Sequence, residues 1–97
     1  MRFEIILAPV AVEDFRALKA NLRSTVRDAL ETHLRHEPMK TSRSRIKRLR
    51  GLARPQYRLR VGEVRVFYDV TAESVEVLAI VPKSEAAIWL EQFGKSE

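Results

Sequence analysis

The sequence contains no cysteine. Disulfide scaffolds, thiol nucleophiles and thiolate metal sites are therefore excluded, and a cytoplasmic setting is the default expectation. Histidine is scarce as well: His33 and His36 are the only two. A metal site needs more ligands than that pair, and no further ligand spacing is signalled, so neither a metal nor a cofactor is expected. No run of about 18 apolar residues occurs, and no membrane span is expected. The short apolar stretch Met1–Leu7 carries Glu4, is too brief for a signal peptide, and reads as a strand. Internal repeats and low-complexity tails are absent. The 97 residues, 45% hydrophobic and 32% charged, suit a single domain spanning 1–97. A chain this short builds only a modest core, which leaves room for a partner chain to add stability.

Charge is present in excess of one sign. Lysine and arginine number 18 against 13 acids, a net charge of +5. Between Lys40 and Arg65 lie ten basic residues and one acid, Glu63. That window carries +9 and the rest of the chain −4. Such asymmetry points to a polyanionic partner: nucleic acid, a ribosome or an acidic protein.

Hydrophobic spacing sets the element order. Residues 2–7 form a first strand. Pro9 suits the first turn of a helix, and Ala11, Val12, Phe15, Leu18 and Leu22 fall at helical spacing. A break is expected over residues 21–24, then a second helix over about 24–36 built on Val26, Leu30 and Leu34. Glu37-Pro38 ends it, because the residue before proline is driven out of the helical region. Residues 38–56 read as a basic loop, with Ile46, Leu49 and Leu52 available to pin it. From Tyr57 the period becomes two: strands over 57–61 and 64–70 flank the turn Gly62-Glu63, and a third covers 75–81. Ser84 is the expected N-cap of a last helix over 85–93, with Gly94 as its stop. Trp89 and Ile88 are expected either to pack that helix on the body or to form part of a surface for a partner protein or a second copy. The order is β-α-α-β-β-β-α, an α+β fold with a helical hairpin packed on a mainly antiparallel sheet.

The Gly62-Glu63 turn fixes a register. Val61 faces Val64, Arg60 faces Arg65, Leu59 faces Val66, Arg58 faces Phe67 and Tyr57 faces Tyr68. Side chains alternate between the two faces of a sheet. One face collects Tyr57, Leu59, Val61, Val64, Val66 and Tyr68, the core side. The other collects Arg58, Arg60, Arg65 and Phe67. Like charges opposite one another are destabilising, so three converging arginines call for an explanation. Two readings stand. Either they form an anion site, since the planar guanidinium fork fits phosphate, or they reach water separately and pair with Asp69 and Glu76. Phe67 beside them either stacks on a base or simply packs.

The stretch Tyr57-Arg58-Leu59-Arg60-Val61-Gly62-Glu63-Val64-Arg65-Val66-Phe67-Tyr68 resembles the central hairpin of the RelE/ParE superfamily of toxins from bacterial toxin–antitoxin pairs. The preceding Lys47-Arg48-Leu49-Arg50-Gly51-Leu52 is similar to the basic K-x-L-x-G loop of that superfamily. The likeness extends over nearly the whole chain. It implies a compact RelE-like fold and a toxin that inhibits translation.

Resemblance to the RelE branch implies a metal-independent endoribonuclease that cuts mRNA on the ribosome. The 2′-OH attacks the adjacent phosphate and a 2′,3′-cyclic phosphate is left. That chemistry needs a base, an acid, and cations for the phosphorane charge. By position, Arg58, Arg60 and Arg65 match the basic residues of the two strands, with Arg65 as phosphate clamp. No Tyr or His follows Tyr68, so Lys83 and Glu85 are the candidates for proton transfer. Lys47, Arg48, Arg50, Arg54 and Phe67 complete the expected RNA contact. The resemblance also implies an acidic antitoxin partner and, through it, operator DNA. Two alternatives stay open: a ParE-like inhibitor of DNA gyrase without nuclease chemistry, and a decayed toxin that serves only in a repressor complex.

Overall fold

The computed structural model describes residues 1–97. The chain runs β1 (Glu4–Leu7), α1 (Pro9–Ala17), α2 (Ala20–Leu34), β2 (Ile46–Arg48), β3 (Leu52–Arg54) and β4 (Tyr57–Val61). It continues through β5 (Val64–Val70), β6 (Ser74–Pro82), α3 (Lys83–Phe93) and β7 (Lys95–Ser96). Five strands form one sheet in the order β1-β6-β5-β4-β2, and β3 pairs with β7 in a second, two-stranded sheet. Only the β1–β6 pair is parallel. The α+β class and the mainly antiparallel sheet are thus those expected.

The hairpin has the register read from the sequence, from Val61↔Val64 out to Tyr57↔Tyr68. Gly62 makes the turn possible: its φ of +57° lies in the left-handed region, where a side chain is strained. One face of the sheet packs against the helices. Leu59, Val61, Val64, Val66 and Tyr68 are buried there, joined by Val75, Val77 and Ile80 of β6. Val26, Leu30 and Leu34, spaced four apart on α2, close over them. The Tyr68 hydroxyl donates to the Pro38 carbonyl at 2.6 Å, which satisfies it inside the core. Burial raises the Tyr68 pKa above the ordinary tyrosine value.

α1 guards an edge. β1 pairs with β6 only over Ser74–Val77. Beyond that, the Asp14 carboxylate accepts the Ile80 N–H at 3.0 Å, and the Ala8 N–H donates to Val77 at 2.9 Å. The otherwise open strand is thereby covered by helix. α3 lies on the opposite face, where Trp89 stacks on Phe67. The chain then turns at Gly94, where a Cβ would sit 2.5 Å from the Leu90 carbonyl oxygen, and β7 ties the C-terminus to β3.

Several local expectations are corrected. The first strand starts at Glu4, not at residue 2. The helix break falls at Leu18-Lys19 rather than 21–24: both residues are extended, and the Arg23 guanidinium takes up the Arg16 and Leu18 carbonyls. α2 stops at Leu34, two residues short of the expected end. The basic segment 38–56 is not all loop. Buried Ile46 pairs with Leu59 and draws residues 46–48 onto the edge of β4. Ser84 is not the N-cap of the last helix; β6 runs straight into α3, with Pro82 at the cap. Ile88 does not pack on the body but stands 57% exposed.

Candidate nucleic-acid interface

Alternation along β4 and β5 sends Arg58, Arg60 and Arg65 to the sheet face that carries α3. Arg60 and Arg65 are register partners, and so are Arg58 and Lys47 on β2. Four cations therefore share one face across three strands. Beside them, a groove of about 550 Å³ opens between the β2–β3 segment and α3, lined by Lys47, Leu49, Arg50, Leu52 and Leu90.

The arginines differ in their freedom. Arg65 is only 7% exposed, and its Nη1 donates to the Gly62 and Val64 carbonyls at 2.7 and 3.0 Å. It braces the turn from within. Arg58 is half-buried, and its Nε is buried without a hydrogen-bond partner in the protein. Burial lowers the Arg58 pKa from the usual arginine range, and Arg65 and Arg60 lower it further. Arg60 is exposed. A buried donor beside two like charges is an arrangement that an anion would relieve.

The acids do not supply that anion. Asp69 and Glu76 pair with Arg54 instead, at 3.4 and 2.8 Å. That overturns the reading in which they neutralise the arginine row. The Arg54 guanidinium, half exposed, is engaged by these two carboxylates. Asp69 is half-buried, and its burial raises the carboxyl pKa while the Gln56 N–H and Arg54 oppose the rise. Arg48 is likewise committed to the fold. Its guanidinium lies 5.3 Å from the Tyr57 ring centre and Nη1 donates to the Leu49 and Gln56 carbonyls.

Phe67 is corrected too. It is fully buried, with its ring centre 4.9 Å from that of Trp89 and the planes 5° apart. Trp89 occupies the face on which a base was expected to stack. Of the proton-transfer candidates, Lys83 opens α3 next to the hairpin turn, where its N–H donates to the Glu63 carbonyl at 2.7 Å. Glu85 is not brought to the arginines; it lines a depression between α3 and α1 with Val10, Asp14 and Ile88. One neighbour escaped the sequence reading. The Arg45 carbonyl accepts the Arg60 N–H at 2.9 Å and its Nη1 reaches back to the Arg60 carbonyl at 3.3 Å. Arg45 thus lies beside Arg60 at the start of β2. The alternation Arg43-Ser44-Arg45-Ile46-Lys47 was the available signal.

Known proteins agree with this architecture. The family model of the ParE toxin of type II toxin–antitoxin systems, parDE, matches residues 5–87. The chain belongs to this RelE/ParE toxin family. Among solved structures, the toxin resembles a chain of the RelBE2 toxin–antitoxin complex from Mycobacterium tuberculosis. The TM-score is 0.65 at 20% identity, covering 84% of this chain and 99% of that one. The archaeal RelE–RelB complex from Pyrococcus horikoshii OT3 gives a TM-score of 0.64 at 24% identity, covering 86% and 97%. The DinJ–YafQ toxin–antitoxin complex of E. coli gives 0.63 at 15%, covering 92% and 99%. At these identities the likeness is one of fold. No curated protein sequence matches the toxin. No helix is long and apolar enough to cross a membrane.

Proposed function

We propose that the toxin is a ribosome-dependent mRNA endoribonuclease whose phosphate site is the Arg58–Arg60–Arg65 face. The observation that carries this reading is the half-buried Arg58, with an unpartnered Nε and two arginines beside it. The mRNA 2′-oxygen attacks the adjacent phosphorus as its proton leaves to solvent. The bond from phosphorus to the 5′-oxygen breaks, giving a 2′,3′-cyclic phosphate and a 5′-hydroxyl. Arg58 and Arg60 take the charge that builds on the phosphorane oxygens. Arg65 holds the turn from which they project. Lys83, beside that turn, delivers a proton to the leaving 5′-oxygen. Alignment of the message on the ribosome lowers the remaining barrier. Lys47 and Arg50 carry the flanking RNA backbone along the groove.

The partner in the resting state is an acidic antitoxin that covers the basic face and brings the pair to operator DNA. The +9 window gives such a partner an electrostatic reason to bind. The match to the ParE family model favours a second reading, inhibition of DNA gyrase without RNA chemistry. Primer extension on a translated message tests the first reading. Cuts within codons that need ribosomes support it. A supercoiling assay tests the second.

A further inference from the structure

His33, in the last turn of α2, points into a pocket that the nuclease reading leaves unused. The pocket has a volume of about 290 Å³, and Lys40, Thr41 and Arg45 line it with His33. Its lining is polar except for Ile46. The walls are set by hydrogen bonds of the loop. The Ser42 hydroxyl accepts the Arg45 N–H at 3.0 Å and the Ser42 N–H donates to the Ile46 carbonyl at 2.9 Å. Arg45 is therefore held at the pocket mouth while its backbone pairs with Arg60 of the cationic row. The one acid of the lining, Glu37, is paired with Lys40 at 3.7 Å.

We infer that this pocket is a second phosphate subsite, which takes a phosphodiester group of RNA running off the Arg58–Arg60–Arg65 face. The inference rests on the RNA reading proposed above. Arg45 offers the guanidinium nitrogens not bound to the Arg60 carbonyl and Thr41 a hydroxyl, both donors suited to phosphate oxygens, while Lys40 offsets Glu37. His33 completes the set once it is protonated. A position at a helix C-terminus ordinarily favours charged histidine. Here burial and the neighbouring Arg45 push its pKa the other way. The charged groups facing it are Arg45 at the start of β2, and Lys40 and Glu37 from the loop. A phosphodiester between them adds a negative charge beside the ring and cancels the effect of Arg45. Binding and protonation of His33 are thus linked, and each favours the other.

The test follows the His33 ring by NMR in the full chain, with His36→Gln used to assign the two histidines. A single-stranded RNA oligonucleotide is compared with sulfate, whose charge is constant across the titration. RNA is expected to raise the His33 pKa by about one unit, equivalent to about tenfold tighter binding to the protonated form. The rise should vanish in Arg45→Ala and shrink in Thr41→Val, the milder change that leaves the basic charge in place. Three results would overturn the subsite: no rise with RNA, an undiminished rise in Arg45→Ala, or sulfate matching RNA at equal concentration. The last would mark a pocket for free oxyanions only. The readout is binding, so its failure leaves the cleavage reading standing, and a toxin that cuts no mRNA can still show the rise.

Discussion

Phe67 and Trp89 stack with their ring centres 4.9 Å apart and nearly parallel. This contact joins the sheet face behind the hairpin to α3, a helix with no fully buried residue of its own. The stack is thus the main apolar anchor of α3. Trp89→Ala should destabilise the fold by about 2–4 kcal/mol, toward the low end of large aromatic truncations because Trp89 is only half-buried. Trp89→Phe should recover most of it. Urea unfolding measures both, and a loss well under about 1 kcal/mol in Trp89→Ala would show that β7 alone holds the helix.

Arg58 should show activity and stability moving in opposite directions. Arg58→Met keeps the aliphatic stem and removes a charge that crowds Arg65 and Arg60. Stability should rise by some tenths of a kcal/mol, up to about 1. Message cleavage should fall by roughly 100-fold or more, the scale of losing one stabiliser of transition-state charge. Unfolding and cleavage measured on the same preparation separate this from a purely structural arginine, whose loss would lower both together.

Arg54 should behave in the reverse way. Its guanidinium bridges Asp69 and Glu76, so Arg54→Met leaves a half-buried carboxylate without its cation. The cost should be about 1–2 kcal/mol, the order seen when a charged hydrogen-bond partner is removed. Cleavage per folded molecule should change less than in Arg58→Met. A large cleavage defect without destabilisation would place Arg54 in the RNA contact.

Acid should weaken the fold through His33. Burial and Arg45 favour the neutral ring, so its folded pKa lies below the unfolded value near 6.5. The stability it contributes is fully present above that unfolded value and is lost as the pH falls through the folded one. In chloride buffer, the urea midpoint of the wild type should drop from about pH 6.5 downward more steeply than that of His33→Gln. Parallel curves would exclude His33 as a source of acid sensitivity.

The hairpin was legible because a two-residue turn and a period of two leave one register that buries Leu59, Val66 and Tyr68 together. The same alternation placed Arg58, Arg60 and Arg65 on one face. It could not show what covers that face. The packing of α3 depends on Trp89 more than on an amphipathic stripe, so the burial of Phe67 had little signal. β2 and β3 were hidden for a related reason. Each is three residues long, and its pairing comes from a partner strand, β4 or β7, rather than from its own pattern. The helix break was displaced because the Arg23 side chain, rather than a local breaker residue, satisfies the end of α1. Charge counting could not tell committed arginines from free ones. Arg48 and Arg54 serve the fold, whereas Arg60 is exposed on the row.

The central claim is that the arginine face acts on a phosphodiester of a translated message. Primer extension on an mRNA in a bacterial translation extract tests it most directly, with wild-type toxin beside Arg60→Ala. The account requires discrete cuts within codons, dependent on ribosomes, leaving 2′,3′-cyclic phosphate ends and lost in Arg60→Ala. Intact message from a wild-type toxin that blocks gyrase supercoiling would contradict it.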